Sequence, residues 1–414
     1  MFICHRKDNT LTAYKYICGL IQAERSNMEQ IEEKVDDADY GKLRHFISRS
    51  PWNSRNVMNR VAKQSYRLLW DAGFQALVIY EVSFSKKGNN SVGVMPQWNN
   101  ELKKNNNCQI ALFAVLSAGK YAIPVDVEFF IPANWTNDNK RCKNAGVPEE
   151  RLKFKTKSEL VMDIIKRQRS LGAKFEYVCI EKFGKSDFFS GKKNKVFYKE
   201  LGNNSEFFFI NVDKNRTVYI KEDGKVSWES PVPPNGKNHL IKSKQTRIKN
   251  ILSHLKQDII NKTTIQNPFN NSLKISVFYL NVLVPSELKT GSREWTLFIT
   301  QSNESPNINQ CFLTNLPEED AIVNLSLIFE RRNLADSAFE DAKNKVGMSD
   351  YQVRKWLAWH HHISLCMMSI LFLTENNILN IDNNLKPLSC VAIHFKLKGF
   401  LQSEKTNTAN FICC

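Results

Sequence analysis

The chain has 414 residues, and because 42% of them are hydrophobic it holds enough apolar material for more than one packed unit. Lysine and arginine number 58 against 42 aspartate and glutamate, a formal net charge of +16 that favours a polyanionic partner, nucleic acid before a membrane surface. The first residues lack the apolar run of a signal peptide, no segment approaches the roughly 20 apolar residues of a membrane span, and the cysteines suggest neither a disulfide framework nor paired CxxC metal knuckles, so we expect a cytoplasmic protein without a membrane partner.

Residues 11–72 have the periodicity of helices and are rich in charged side chains. Ser26 and Glu29 have the Ser-x-x-Glu spacing that begins a helix, and Ser50 and Pro51 break the pattern and restart it. We therefore predict an N-terminal helical unit over residues 11–72.

From Ala76 the periodicity becomes that of strands. The run ALVIYEVSF is rich in β-branched and aromatic residues, the turn sequence KKGNN follows it, and SVGVMPQW and CQIALFAVLSAG continue in the same style. Next, KSELVMDIIKRQRSLG predicts an amphipathic helix that ends at Gly172, and FEYVCIEKF predicts a buried strand. Three antiparallel strands, a crossover helix and a fourth strand are the first elements of a ribonuclease H-like fold, which we assign to residues 73–200.

Residues 201–322 are strand-like again, with FFFINV, TVYI, ISVFYLNVLV and EWTLFIT separated by clusters of Asn, Gly, Pro and Ser, so we predict a β-rich insertion. Helical periodicity returns over residues 323–375, where the apolar stretch from Ile363 to Leu373 predicts a buried helix, and residues 376–414 form an irregular tail. The predicted fold class is therefore α/β: a ribonuclease H-like mixed sheet flanked by helices, with an N-terminal helical unit and a β-rich insertion before the last helices.

Several runs of sequence resemble the core of insertion-sequence DDE transposases. They are SFSKKGNNSVGV (83–94), NCQIALFA (107–114), FIPANWTND (130–138), AGVPEERLKFKTKSEL (145–160) and, later, AFEDAKNKVGMSDYQVRKWLAWHHHISL (338–365). The resemblance covers roughly residues 12–375. It implies a ribonuclease H-like core in which two aspartates on strands and one glutamate on a late helix hold two Mg²⁺ ions for in-line attack on a phosphate. It also implies double-stranded DNA, at the ends of a mobile element, as the partner, and a homodimer; the N-terminal helical unit would bind the DNA end or form the dimer.

Carried over position by position, the resemblance places Tyr80 at the first aspartate, Glu181 at the second aspartate and Asp336 at the glutamate. Tyrosine is a poor magnesium ligand, so Glu181 and Asp336 remain as the metal ligands that the resemblance implies. Glu81 follows Tyr80 directly and should point to the opposite face of the strand.

The family's helix signature, Tyr-x2-Arg-x3-Glu-x6-Lys, becomes Phe329, Arg332, Asp336 and Lys343 in this sequence. At about 100° per residue, Arg332 and Lys343 share a helix face with Asp336 and could grip phosphate. Glu340, one turn after Asp336, is a second candidate carboxylate.

Other residues have two interpretations each. Lys86 and Lys87, with the basic stretches at 192–195 and 237–249, could contact phosphates or lie in solvated loops. Trp295 could stack on an unpaired base or pack in the core. The run His360-His361-His362 invites a metal interpretation, but adjacent side chains on a helix do not converge on one ion, so we expect packing.

The sequence thus predicts a transposase homologue that by resemblance cuts and joins DNA with Mg²⁺ and whose altered carboxylates impair catalysis. The alternative is a non-catalytic DNA-binding remnant of a transposase, and a third class is a ribonuclease H-like nuclease of another type.

Overall fold

The structure is a computed structural model that describes residues 2–4, 7–23, 27–181, 183, 197, 201, 206–221, 243–254, 260–267, 270–283, 295–302 and 308–383. The helices in these residues are α1 (Thr10–Gln22), α2 (Met28–Lys34), α3 (Tyr40–Ser48), α4 (Ser54–Leu68), α5 (Ala133–Thr136), α6 (Asn139–Asn144), α7 (Lys157–Ser170), α8 (Ile251–His254), α9 (Glu318–Lys345) and α10 (Trp356–Asn383). The strands are β1 (Ile3–Cys4), β2 (Lys7–Asp8), β3 (Gln75–Ser85), β4 (Met95–Asn99), β5 (Lys104–Ala118), β6 (Tyr121–Phe130), β7 (Tyr177–Ile180), β8 (Phe207–Val212), β9 (Thr217–Lys221), β10 (Ser243–Arg247), β11 (Asn261–Asn267), β12 (Asn270–Val282), β13 (Trp295–Ser302) and β14 (Ile308–Thr314).

A mixed sheet of 10 strands lies at the centre of the fold. Five neighbouring strands have the order β6-β5-β3-β7-β8, in which β5 is antiparallel to both β6 and β3, while β7 is parallel to both β3 and β8. Counted along the chain within this set, the order is third, second, first, fourth, fifth, with α7 as the crossover before the fourth strand. This is the strand order of a ribonuclease H-like sheet, and the predicted fold class is confirmed.

One strand assignment was wrong. The third core strand is β6, which pairs with the second half of β5, whereas the run SVGVMPQW contributes only the short β4, paired with the first residues of β5. The sequence YAIPVDVEFF of β6 contains Pro124, Asp126 and Glu128, three residue types that are uncommon inside a strand, so the strand was not predicted. All three polar or ring-closed positions are nevertheless accommodated, because the two carboxylates meet arginines from other elements and the strand shifts register beside Pro124.

The β-rich segment continues the central sheet instead of forming a sheet of its own. Strand β14 pairs with β8, and β13, β12 and β11 follow outward in antiparallel order. Strands β9 and β10 form a small separate sheet, joined to the segment by a bridge between Tyr219 and Leu283. The division of the chain into separate domains stays a prediction.

Helices cover both faces of the sheet because successive side chains of β3 point in opposite directions. Leu77 and Ile79 belong to the larger core, together with α1–α4, α7 and most of α10. Ala76 and Val78 belong to the second core, which is closed by apolar side chains of α9 such as Ile328. Helix α9, which carries Asp336, therefore lies on the same face of the sheet as the side chain of Tyr80.

The ends of the helices follow from local side chains. Thr156 and Glu159 form a capping box at the start of α7, and Gly172, at φ +93°, follows its end. The cap of α2 is Asn27, whose side chain accepts from the backbone of Gln30, and not Ser26 as predicted, a residue outside the described ranges. Helix α10 runs to Asn383 and so extends past the predicted boundary at residue 375.

Helix α10 is long and apolar enough over Trp356–Ile378 to cross a membrane, with a mean hydropathy of 1.2, but 83% of its most apolar window is buried within the protein. It packs against α1, α3 and α4 and against β6. The prediction of a buried helix is confirmed for this segment, whereas the expectation that no segment approaches the length of a membrane span was wrong, because the apolar stretch extends on both sides of Ile363–Leu373.

Candidate active site

Glu181 lies beside Tyr80 because β7 and β3 are parallel neighbours. Ile180, the last residue of β7, pairs with Ile79, and the backbone amide of Glu181 donates to the carbonyl of Ile79 at 3.0 Å. Glu181 is therefore the first residue after β7, and it lies beside Tyr80 on the neighbouring strand. Two of the three predicted positions are neighbours for this reason.

Helix α9 brings the third position to the same place. The hydroxyl of Tyr80 donates to the carbonyl of Arg332 at 3.0 Å, and its ring stacks on that of Phe339 with centroids 6.3 Å apart. The Asp336 carboxylate lies close enough for its charge to raise the pKa of the Tyr80 phenol, and the charge of Glu181 raises the pKa of both groups. The structure thus brings Tyr80, Glu181 and Asp336 together in one cluster.

Arg332 forms a bidentate ion pair with the carboxylate of Glu181. Its Nε donates to Oε1 at 2.5 Å and its Nη2 to Oε2 at 2.7 Å. Asn211, from β8, donates to Oε2 at 3.1 Å. Only 7% of the Arg332 side chain and 16% of the Glu181 side chain are exposed, so solvent screens the pair weakly. The guanidinium also lies 4.4 Å from the ring centroid of Phe312, which holds it from a further side.

The protonation states of the cluster follow from burial and from these charges. Burial, with the charges of Asp336 and Glu181, raises the pKa of the Tyr80 phenol well above its ordinary value, so the phenol is neutral. The neighbouring protein atoms desolvate the Asp336 carboxylate and, together with the charge of Glu181, raise its pKa to about 6, although the residue keeps an exposed surface. Burial lowers the pKa of Arg332, but the charge and hydrogen bonds of Glu181 and the nearby Cys179 and Tyr80 together raise it by more, so the guanidinium stays charged.

These donors do not fit the two Mg²⁺ ions that the resemblance implies. Magnesium takes oxygen ligands, mostly charged, in near-octahedral geometry. Tyr80 offers a neutral phenol, and both oxygens of Glu181 already accept hydrogen bonds from Arg332, so Asp336 is the one cluster carboxylate not held in an ion pair. Within the described ranges there is also no group of three or more His, Cys, Asp or Glu side chains placed to hold a metal ion.

Glu81 lies on the opposite face of β3 from Tyr80, as strand alternation predicts. Its carboxylate is buried, accepts from Asn100 Nδ2 at 3.2 Å and forms an ion pair with Lys157 at 2.5 Å. Burial raises the pKa of Glu81, an effect that the charge of Lys157 opposes. This carboxylate cannot replace the missing first aspartate.

Residues 4–193 match the model of a family described as DDE superfamily endonuclease. The resemblance to DDE enzymes is thereby confirmed for this part of the chain, which holds Tyr80 and Glu181. Asp336 lies beyond the match, so the carry-over of the helix signature stays a prediction. No curated protein matches the sequence.

Several solved structures are similar to this chain, among them a transposase complex and a nuclease. A piggyBac transposase synaptic complex with hairpin DNA aligns with a TM-score of 0.45 and 11% identity, covering 97% of this chain and 73% of that one. The NurA nuclease from Sulfolobus solfataricus aligns with a TM-score of 0.28 and 11% identity, covering 84% of this chain and 98% of that one. At these scores neither says anything about the chemistry of this chain.

Two of the three lysines predicted to contact phosphate, Lys343 and Lys86, are engaged by other groups of the protein. Lys343 donates to the carboxylate of Glu101 and to that of Glu340 at 3.2 Å, which also occupies Glu340. Lys86 lies 3.6 Å from the ring centroid of Tyr351 and donates to its carbonyl at 3.3 Å, and burial lowers the pKa of this ammonium to about 8. Lys87 is exposed and remains a candidate for phosphate contact.

Trp295 packs in the core, so the base-stacking interpretation does not hold in this conformation. Its side chain is 3% exposed, and its ring meets the edge of Phe208 at 5.0 Å. The basic stretch at 192–195 lies outside the described residues, and the stretch at 237–249 is described only from Ser243 onward.

The three adjacent histidines are buried packing residues, as expected. His361 has the carbonyl of Ile47 at 2.9 Å from Nδ1 and that of Trp52 at 2.8 Å from Nε2, and it stacks on the Trp52 ring with centroids 3.6 Å apart. His362 shares a hydrogen bond with the hydroxyl of Tyr16 at 2.9 Å. They join α10 to the N-terminal helices. Burial lowers the pKa of His361 and His362 to about 4 and that of His360 to about 3.

The sequence analysis missed several buried polar residues that bind the elements around the site together. Asp126 and Glu128 on β6 are buried and bind three arginines, from α4, the segment before α7, and α7. Asn211 on β8 was missed as well, although an amide inside the apolar run FFFINV is itself a signal for a buried polar contact. Both sets are visible in the sequence as polar residues within apolar strands.

Proposed function

We propose that the chain is a DNA transposase homologue that binds double-stranded DNA and is impaired in cutting it. The match of residues 4–193 to DDE superfamily endonucleases and the net charge of +16 support a nucleic-acid substrate. The single observation that carries the impairment is the ion pair between Arg332 and Glu181 beside a neutral Tyr80.

The physical reason lies in the charge that a divalent metal ion needs. A DDE site offers carboxylates whose summed negative charge attracts and orients the ions. In this cluster Tyr80 contributes no charge, and Arg332 neutralises Glu181 from a distance of 2.5 Å. Magnesium would have to displace a buried guanidinium that makes two hydrogen bonds, so we infer that Mg²⁺ binds weakly at Glu181 and Asp336.

Recognition of element ends, action as a homodimer and residence in the cytoplasm belong to the same proposal. They rest on the resemblance of the sequence to insertion-sequence transposases. The role of the N-terminal helices in binding DNA ends is part of it, since they lie inside the matched range of 4–193.

A cleavage assay tests the proposal. End-labelled duplexes taken from the DNA that flanks the coding sequence are incubated with purified protein and Mg²⁺ or Mn²⁺, and nicking and strand transfer are followed on denaturing gels. We expect duplex binding with little or no cleavage. Robust cleavage by the wild type that is lost in Glu181→Gln would overturn the impairment.

A variant with restored carboxylates distinguishes an impaired transposase from a non-catalytic DNA-binding remnant. Tyr80→Asp, Glu181→Asp and Asp336→Glu together rebuild the carboxylate set of the family, and Mn²⁺ binding followed by electron paramagnetic resonance gives a readout apart from activity. If the restored protein binds Mn²⁺ and cuts DNA, only the ligands were lost. If it binds DNA and gains neither property, the chain is a non-catalytic DNA-binding remnant, and selective cleavage of the RNA strand of a hybrid would identify a nuclease of another type.

A further inference from the structure

A groove with a volume of about 320 Å³ opens beyond the end of β3, away from the Tyr80 cluster. Three stretches of chain form it: the turn after β3, the segment of α5 and α6, and the residues just before α10. The residues that line it are Asn89, Asn90, Trp135, Asp138, Lys140, Arg141, Asn144, Ala145 and Lys355. The groove belongs to none of the sites that the sequence suggested.

The walls of the groove are held in place by bonds between distant parts of the chain. The backbone amide of Trp356 donates to the carbonyl of Ala145 at 3.0 Å, and that of Val92 donates to the carbonyl of Arg354 at 2.9 Å. The indole Nε1 of Trp135 donates to the carbonyl of Val94 at 2.9 Å. The groove is therefore part of the folded frame.

Positive charge dominates the lining. Lys140, Arg141 and Lys355 stand against one carboxylate, Asp138, which is engaged in capping α6 through the backbone amide of Arg141 at 2.9 Å. The guanidinium carbon of Arg141 lies over Trp135, 3.8 Å from the ring centroid, and Nη2 donates to the carbonyl of Asn89 at 3.1 Å. Lys355 donates to the carbonyl of Asn144, while Lys140 is exposed. Hydrogen bonds thus hold Arg141 and Lys355 at the groove, and Lys140 is open to solvent.

The chemistry of the walls selects the class of ligand. Sites for small organic molecules are lined mainly by apolar side chains, whereas only Trp135 and Ala145 are apolar here and both are buried. Two lysines, an arginine and three asparagine amides present N–H donors to an open surface, which is the donor set for phosphate oxygens. A planar arginine next to lysines suits a chain of phosphates better than a single enclosed anion.

We propose that this groove binds the phosphate backbone of a DNA duplex, as a second anchoring surface apart from the Tyr80 cluster. The inference rests on the proposed function, since it concerns the same duplex. Tyr80 and Ser85 are five residues apart on β3, which is about 17 Å at the rise of a strand. With one phosphate per strand for about every 3.4 Å of duplex, the groove contacts phosphates about five or more base pairs away from the cluster.

Salt dependence of binding tests the groove directly. Lys140→Ala with Lys355→Ala removes two cations, and Lys120→Ala with Lys174→Ala removes two exposed lysines elsewhere and serves as the matched control. Binding of a fluorescent duplex of about 30 base pairs is measured by anisotropy between about 50 and about 200 mM salt. Each lost phosphate contact lowers the slope of log affinity against log salt by about 0.9. The groove variant should therefore lose about 1.8 in slope and about 50-fold in affinity near 0.1 M salt, and the control should keep the slope of the wild type.

The outcomes are distinct. Equal slopes for the groove variant and the control would overturn the groove while leaving DNA binding by the chain intact. Failure of the wild type to bind duplex at about 50 mM salt would refute both the groove and the proposed function. Binding of inorganic pyrophosphate to the wild type and to the groove variant is measured by isothermal titration calorimetry. A groove variant that loses pyrophosphate binding but keeps the duplex affinity of the wild type would indicate a small-anion site and would also overturn the proposal. Lys140→Ala alone, at an exposed position, should lower the slope by about 0.9 with an unchanged thermal unfolding midpoint, which separates loss of contact from loss of fold.

Discussion

Replacing Arg332 by glutamine should destabilise the protein and at the same time create affinity for a divalent cation. In the wild type, Arg332 and Glu181 form a pair whose side chains are 7% and 16% exposed. The Arg332→Gln variant keeps the helix and part of the side-chain length but leaves the Glu181 carboxylate without its counter-charge. Asp336, whose carboxylate interacts with Glu181, then adds a second negative charge to the cluster.

The magnitude follows from the burial of the pair. Removing one partner of a buried ion pair costs about 3–5 kcal/mol, because the other charge stays behind without compensation. Asn211 continues to donate to Glu181 at 3.1 Å, and Asp336 lies at an exposed edge of the cluster, so the lower end applies. We therefore expect a loss of about 3 kcal/mol in the free energy of unfolding.

Metal ions should reverse much of that loss. Glu181 and Asp336 together offer carboxylate oxygens to a cation of the right charge once the guanidinium is gone. If the dissociation constant for Mn²⁺ is about 0.1 mM, about 10 mM Mn²⁺ stabilises the folded state by about 2.7 kcal/mol. Urea unfolding at neutral pH, with and without Mn²⁺, measures both effects in one series.

Arg331→Gln is the matched control, since it makes the same change one residue earlier on the same helix. Arg331 is also buried, but its contact is with Glu330 at 3.5 Å, a carboxylate that is 49% exposed, and its Nε and Nη1 have no hydrogen-bond partner among the residues the structure describes. Its replacement should cost less than about 1 kcal/mol and should not respond to Mn²⁺. If Arg332→Gln loses no more stability than this control, or gains none from Mn²⁺, the guanidinium does not take the place of a metal ion.

Three further changes test other parts of the structure. Asp126→Asn should lower the free energy of unfolding by about 3 kcal/mol because it leaves two arginines facing a neutral amide, whereas Asp163→Asn, in the half-exposed pair with Lys155, should cost less than about 1 kcal/mol; urea unfolding compares them. Trp295→Ala should cost about 3–5 kcal/mol and leave duplex affinity unchanged at a temperature where the variant is folded; a specific loss of DNA binding would restore the base-stacking role. Because the pKa of Asp336 is raised from 3.8 to about 6, its ionisation opposes folding, so the stability of the wild type relative to Asp336→Asn should be highest below pH 4 and should fall as pH rises through about 6. A stability difference that rises with pH over this window would contradict that assignment.

The core of the fold could be predicted because its signals are local. Alternation in β3 and β5 and the apolar periodicity of α7 are properties of neighbouring residues, and the crossover between parallel strands fixes where β7 must lie. Strand β6 was not predicted because Asp126 and Glu128 interrupt its apolar run. The partners of Asp126, Arg55 and Arg167, lie 71 and 41 residues away from it in the sequence. A pattern read in short windows cannot contain contacts of that range.

The same contrast between local signals and long-range contacts applies to the site. The resemblance to DDE transposases led to the prediction that positions 80, 181 and 336 meet, and a helix periodicity of about 100° per residue predicted that Arg332 shares a face with Asp336. The choice of partner was not accessible, because Arg332 shares a helix face with Asp336 and yet turns to Glu181 on another element. Where a long cationic side chain finds its carboxylate depends on tertiary packing, here on the ring of Phe312 and on the amide of Asn211.

The tyrosine and the ion pair support each other, and this decides which restoration is informative. The Tyr80 hydroxyl binds the carbonyl of Arg332, so it holds against β3 the turn of α9 from which the guanidinium reaches Glu181. Changing Tyr80 to aspartate alone would add a charge beside Arg332, which would strengthen the hold of the arginine on the cluster as much as it would attract a metal ion. Shortening Glu181 to aspartate withdraws its oxygens from the guanidinium, and lengthening Asp336 to glutamate extends the carboxylate of the Tyr80 cluster that forms no ion pair with Arg332. The three changes therefore have to be made together before the absence of cleavage says anything about the scaffold.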